Sequence, residues 1–330
     1  MGMRTELPWT TGRKAPAALL AVLGLLAAGL TLALLGGGRS PAAGPAPTAS
    51  RSTPAGPEQV DLAERVAAYT ANFAADSPYR APNQSERRAV GEGVSQLLDG
   101  KAGPAAATLR QAGYRATELI DRPSGRRVTE VADASPERER ERGWGRVYLD
   151  PQTHAVWSGQ VPHPVADSRT ELLGVELWRA APGGVVVIAG AHRRAGADGT
   201  SDAAHSPDTV FAAVVDLLAD RGLPGIQVHG FDEGSLPGQD AVVSGGSVEP
   251  GPAGHRTAEG LRALGLNVCE AWKEKCGRLE GTTNVEGRYA SDRGVPWLHV
   301  ELANGLRTDP ALRLRVAEAL AAATRSWAKG

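Results

Sequence analysis

Histidine and carboxylate side chains recur where this sequence leaves its short apolar runs, and that pairing binds transition metals and moves protons. Of seven histidines, His163, His192, His205, His229 and His299 fall at or near the ends of expected strands. The first group is Val161-Pro-His163-Pro-Val-Ala-Asp167-Ser-Arg-Thr-Glu171. A strand ends in His163, and a turn brings back Asp167, or Glu171 from the following helix, giving nitrogen and oxygen ligands of the kind zinc accepts. The competing reading is helix capping, with Asp167 or Ser168 as the cap and Glu171 in the first turn.

The second group joins Ala189-Gly-Ala-His192-Arg193 to Ser201-Asp202-Ala-Ala-His205-Ser-Pro-Asp208. Small residues let a ligand approach the backbone, and Arg193 suits a carboxylate or oxyanion. Asp208 reads as a helix cap, and His205 divides evenly between a structural hydrogen bond and a site role. The third is Ile226-Gln-Val-His229-Gly-Phe231, a strand that delivers a histidine at its carboxyl end, the strongest metal-ligand candidate of the seven. The fourth is Trp297-Leu-His299-Val-Glu301-Leu-Ala-Asn304-Gly-Leu-Arg307. His299 and Glu301 share a strand face that a covered sheet fills with apolar residues unless the polar pair has work to do. Asn284 and Arg288, in a polar loop after Leu279, are candidates for substrate contact, although a turn closed by Thr and Asn side chains explains that loop equally well. Ser244 is an alternative nucleophile, but no G-x-S-x-G elbow surrounds it.

The elements that must position these residues are short apolar runs separated by helices. HAVWSGQV, GGVVVIAGA, PGIQVHGF, DAVVSGG, LNVCEAW and VPWLHVELA read as strands; DTVFAAVVDLLADRG, HRTAEGLRALG and PALRLRVAEALAAATRSWA read as helices. The expected fold is α/β, a three-layer mixed sheet with helices on both faces over residues 145–330, with ligands at the carboxyl ends of its strands. Residues 59–144 are expected to be a helical lead-in, since VDLAERVAAYTANFAA and SERRAVGEGVSQLLDG space their apolar residues three and four apart. SPERERERGW alternates charge as a solvated face does.

Residues 15–38 carry no charge, a run long enough to cross a bilayer core of about 30 Å as a helix. Arg4, Arg13 and Lys14 precede it, so the positive-inside bias places residues 1–14 in the cytoplasm. The expected organisation is a single-pass transmembrane anchor at 15–38, a linker rich in Pro, Ala and Gly at 39–58, and an extracytoplasmic domain attached to the cell membrane. A cleaved signal peptide competes with this reading, but the run exceeds the usual apolar length of about 7–15 residues. In an exported chain Cys269 and Cys276 read as a local disulfide. The net charge of −1 is uninformative, and no basic stripe argues for nucleic acid as a partner.

Taken in order, these groups resemble the zinc-dependent amidohydrolase and exopeptidase superfamily that includes zinc carboxypeptidases, N-formylglutamate amidohydrolases, aspartoacylase-like enzymes and poly-γ-glutamate hydrolases. The resemblance spans roughly residues 145–325 and rests on an early His-plus-acid loop, a later strand-end His, and a late Glu with an Arg nearby. It implies one zinc per chain on His163, Asp167 and His229, with Glu301 as general base. The early acid stands four residues after its histidine rather than the three of the peptidases' His-x-x-Glu, which leaves Asp167 and Glu171 both open. The implied activity is hydrolysis of an amide or peptide bond in a carboxylate-bearing small molecule or peptide, such as a wall peptide or acyl-amino acid. Glu301 and Arg193 would then be catalytic, and Arg307, Asn284, Arg288 and His192 would contact substrate. The alternative is a non-catalytic extracytoplasmic binding domain on the same fold.

Overall fold

The computed structural model describes residues 56–327. The first half runs β1 (Glu58–Val60), α1 (Leu62–Thr70), α2 (Gln84–Leu98), α3 (Ala102–Gln111), β2 (Tyr114–Asp121), β3 (Arg127–Asp133), α4 (Pro136–Arg142), β4 (Arg146–Leu149) and β5 (Trp157–Val161). The second half continues α5 (Thr170–Ala180), β6 (Gly184–Ile188), α6 (Val210–Asp220), β7 (Gly225–Phe231), β8 (Ala241–Ser244), α7 (Gly251–Ala263) and β9 (Val268–Glu270). It closes with α8 (Val285–Asp292), β10 (Trp297–Ala303), α9 (Asn304–Thr308) and α10 (Pro310–Trp327).

All ten strands form one mixed sheet in the order β1-β2-β3-β4-β6-β5-β7-β10-β8-β9. The central strands β6, β5, β7 and β10 are mutually parallel, so their carboxyl ends meet along one edge. Helices α1, α5, α7 and α10 cover one face, burying Leu173, Leu177, Trp178, Leu261 and Leu320 against Ile188, Val228 and Val300. Helices α2 and α6 cover the other, burying Val90, Val94, Phe211 and Val214 against Val131, Val147 and Val187. Each such side chain contributes about 1.5–3 kcal/mol on leaving water, and the expected α/β architecture of a mixed sheet between helical layers is present.

The stretch 59–144 departs from its expected helical character. It is helical through Gln111, but Tyr114–Asp121 and Arg127–Asp133 pair as an antiparallel hairpin that β4 extends, so the sheet crosses position 144 without a break. A buried charge interrupted the apolar alternation that marks a strand. Glu130 occupies an inward position on β3, held by Arg65 at 2.7 Å and Arg146 at 3.0 Å. Helix α6 is capped by Thr209, whose hydroxyl accepts from Ala212 N, while Asp208 pairs with Arg87 instead.

The expected anchor at 15–38 and the linker up to Ala55 lie outside the described residues. Among the described residues no helix is long and apolar enough to cross a membrane.

Cys269 and Cys276 form the expected disulfide, which packs against Val242 at the sheet margin. Closing so short a loop contributes about 2 kcal/mol through the unfolded chain. Replacing both cysteines by serine should lower the unfolding free energy by about that amount in urea titration, and an unchanged midpoint would contradict it.

Candidate metal centre

His163 follows β5 by two residues, His229 lies in the last half of β7, and Glu301 sits near the carboxyl end of β10. Parallel pairing of β7 with β10 sets Glu301 beside His229 and His299 beside Gln227. Alternation along each strand then gathers Gln160, Gln227, His229, His299 and Glu301 on one face of the sheet, all of them buried. Leu298, Val300 and Leu302 face the opposite, apolar layer.

Three acceptor atoms converge there. His163 Nδ1 lies 3.2 Å from Asp167 Oδ2, His229 Nδ1 lies 3.2 Å from the same oxygen, and the two Nδ1 atoms are 3.1 Å apart. Both ring tautomers follow from the partners of the far nitrogens. His163 Nε2 is 2.8 Å from Asp202 Oδ1, and a carboxylate only accepts, so that nitrogen carries the proton. His229 Nε2 is 2.7 Å from Gln227 Oε1. The Gln227 amide is oriented in turn: Trp297 Nε1 donates to Gln160 Oε1 at 3.0 Å, and Gln227 Nε2 donates to that oxygen at 3.2 Å. Asn284 Nδ2 also donates to Gln227 Oε1, because the Asn284 carbonyl is engaged as N-cap of α8. His229 therefore carries its proton on Nε2 as well, and both Nδ1 lone pairs point at Asp167.

Gly230 N donates to Asp167 Oδ2 at 3.3 Å and Arg193 Nη1 lies 3.3 Å from His163 Nδ1, but a cation among the three acceptors would relieve their mutual repulsion most directly. The set fits zinc: ligand atoms about 2.0–2.1 Å from a tetrahedral ion stand about 3.3–3.4 Å apart. The outer partners Asp202 and Gln227 are of the kind that orient metal-binding imidazoles. The electrostatics agree. Burial first, then the neighbouring His299 and His163, pushes the His229 pKa down to about 4, so its ring is neutral at neutral pH. Burial opposes a charge on His163, but the hydrogen bonds to Asp167 and Asp202 outweigh it and raise its pKa.

The loop that carries Asp167 is strained and clamped. Val165 and Arg169 have φ of 67° and 68°, a left-handed conformation costing of order 1–3 kcal/mol per non-glycine residue. Arg307 was expected to contact substrate. It lines the cleft but is 2% exposed, and its guanidinium donates to the carbonyl oxygens of Asp167, Ser168, Phe231 and Leu302. Glu171 accepts from Val165 N at 3.2 Å, which leaves Asp167 as the acid of the trio. The capping alternative for Asp167 does not hold, since α5 begins at Thr170 with Arg169 in the N-cap position and no side-chain cap.

Of the other candidates, Arg193 pairs with Asp202 at 2.7 Å and reaches His163 Nδ1 at 3.3 Å. His192 lines the cleft nearby, with burial, Arg194 and Arg193 lowering its pKa. His205 rests on Asp202 at 3.1 Å. Asn284 is 2% exposed and engaged as the cap of α8 and with Gln227, and it also lines the cleft. Arg288 is exposed, donates to Thr282 O and does not line the cleft. Ser244 Oγ donates to Glu280 O at 2.7 Å, which takes it out of contention as a nucleophile. Asp202, Gln227, Gln160 and Glu286 were not singled out from sequence; the signal available was polar residues interleaved within the apolar strands β5 and β7.

A cleft of about 890 Å³ opens over the trio, lined also by His299, Glu301 and Arg193. A second cavity of about 870 Å³ lies between α1 and α4, and no candidate residue lines it. No protein-family model matches the sequence, and no curated protein does. Three solved structures show a likeness. A bacteriophage poly-γ-glutamate hydrolase is 14% identical at TM-score 0.38, over 53% of this chain and 85% of its own. An N-formylglutamate amidohydrolase from Ralstonia eutropha is 13% identical at 0.37, over 57% and 98%. An aspartoacylase family protein from Mesorhizobium loti is 12% identical at 0.37, over 53% and 61%.

Two outcomes follow. Arg307→Met should free the strained loop and leave buried carbonyls without donors, costing about 3 kcal/mol or more in stability; an unaltered melting temperature would remove the clamp. Glu286, buried against Gln227 Nε2, has its pKa pushed up by burial to about 8 from an ordinary 4.5. Because the folded value is the higher, its contribution is full below about pH 4.5 and is lost as pH rises through 8. Melting temperature should therefore fall across that window, and Glu286→Gln should flatten the slope, leaving a remainder from Asp216, which burial raises to about 7. An unchanged slope would contradict this.

Proposed function

We propose that this domain is a metal-dependent hydrolase of amide bonds, with one zinc ion held by His163 Nδ1, His229 Nδ1 and Asp167 Oδ2. The observation that supports it is the convergence of those three acceptors, with both histidine protons committed to outward partners. Zinc bound there supplies Lewis acidity, polarising an amide carbonyl and making water a stronger acid. The protein's part is positioning and proton transfer. Glu301 lies across the strand pair from His229, and its buried Oε2 has no protein partner. It takes one proton from the attacking water as the water oxygen bonds to the carbonyl carbon. The proton passes to the amide nitrogen as the C–N bond breaks. Arg193, paired through Nη2 and open to the cleft, meets developing negative charge or a substrate carboxylate. Arg194 and Arg278 line the same cleft, which favours a carboxylate-bearing small molecule or peptide.

The disulfide and the uncharged run at 15–38 support placing the domain outside the cytoplasm, tethered to the membrane, where wall peptides and acyl-amino acids are available substrates. The second reading is a binding domain without chemistry, in which the contacts of His163 with Asp167 and Asp202 serve only to shape the cleft.

The full-length protein, purified without chelators, should hold about one zinc per chain by elemental analysis. Absence of stoichiometric metal would leave the second reading. His229→Ala should abolish uptake, whereas His154→Ala and His255→Ala should not; equal metal in all three would sink the ligand assignment. Glu301→Gln should retain zinc and fold while turnover of acyl-amino acids falls by about 10²-fold or more, and unchanged turnover would take Glu301 out of the mechanism.

A further inference from the structure

His299 has no role in the chemistry so far, and its surroundings are unusual for a buried imidazole. It is 3% exposed, and neither ring nitrogen has a hydrogen-bond partner. A polar ring left unpaired in the interior lowers stability, and an aliphatic side chain of similar size would not carry that cost. Its ring is boxed in by Trp297, at 5.8 Å between centroids, and by His229, at 4.5 Å. Gly281 completes the box: its φ is 66°, and a Cβ there would stand 2.6 Å from the imidazole. The side that remains is the cleft, where Nε2 is 3.4 Å from Glu301 Oε1. Glu301 is itself short of partners, with Oε2 buried and unpaired.

Resting on the metal-hydrolase reading, we propose that His299 is the positioning residue for Glu301. His299 donates its Nε2–H to one carboxylate oxygen, which fixes the carboxylate plane and leaves the second oxygen for the proton of the attacking water. Two residues apart on β10, the pair shares a strand face, so the donor is as rigid as the sheet. The ring is held in place by packing rather than by hydrogen bonds, which leaves its nitrogens available for this contact.

The test uses full-length protein loaded with cobalt(II), whose visible band reports the site, and acetohydroxamate as probe. A hydroxamate offers oxygen atoms to a divalent ion and a proton to the adjacent carboxylate. Its Kd is measured by titrating the band in wild type, His299→Leu, Glu301→Gln and the double variant. His299→Leu should take up cobalt as the wild type does and melt at the same temperature or higher, while its Kd rises about tenfold, the scale of a hydrogen bond to a charged group. Glu301→Gln should weaken binding similarly, and the double variant no further than the worse single, because the two act as one unit. His299→Gln, which keeps an N–H donor, should recover most of the affinity. Losses that multiply in the double variant, or a fall in melting temperature together with cobalt uptake in His299→Leu, would overturn the assignment and make His299 a packing residue. Failure of the wild type to bind cobalt would overturn the metal reading and this proposal with it.

Discussion

Two imidazole nitrogens and a carboxylate oxygen, each presenting a lone pair to the others at just over 3 Å, are the constraint around which the rest of this fold is organised. Gly230 N and Arg193 Nη1 offset part of the mutual repulsion of these acceptors, and the groups behind the rings hold the rest of the arrangement in place. Asp202 holds one ring. The other is held by a relay that passes from Trp297 through Gln160 to Gln227, with Asn284 donating from the N-terminus of α8. That relay explains a polar stripe in the middle of a covered sheet. Its members satisfy one another, and Glu286 joins it as a neutral acid because burial lifts its pKa above the neutral range.

The same constraint accounts for the strained turn after β5. Asp167 must reach back to a histidine four residues earlier, and the backbone does this through left-handed residues that include a β-branched valine. The cost is offset locally. Arg307, carried on α9 just past β10, donates to two adjacent carbonyls of the turn and to one on β7, tying together the segments that carry Asp167 and His229. A guanidinium spent on backbone carbonyls is a positional device, and it occupies the place where a substrate-binding arginine was expected.

Much of this was legible in the sequence. The helices and central strands announced themselves through apolar spacing, and His163, His229 and Glu301 through their place at strand ends. The β2–β3 hairpin did not, because Glu130 sits inward and breaks the alternation, its charge balanced by Arg65 from α1 and Arg146 from β4, far away in the chain. Periodicity arguments cannot see a buried charge whose partners come from elsewhere.

By itself, then, the sequence determined which side chains stand at the carboxyl ends of the strands, since that depends only on local pattern and the two-residue alternation of a strand. It also determined that Cys269 and Cys276 are close enough to join. Strand order and side-chain partners were decided by the tertiary structure alone. Only the parallel pairing of β7 with β10 brings Glu301 beside His229. Only the reach of Asp167 past Glu171 selects the third acceptor, and only the partners of Arg307 and Asn284 show that these cleft-lining residues are engaged by the protein itself. Arginine and asparagine offer the same donors to a backbone carbonyl or a neighbouring amide as to a substrate, and which of these they meet depends on contacts between segments far apart in the chain.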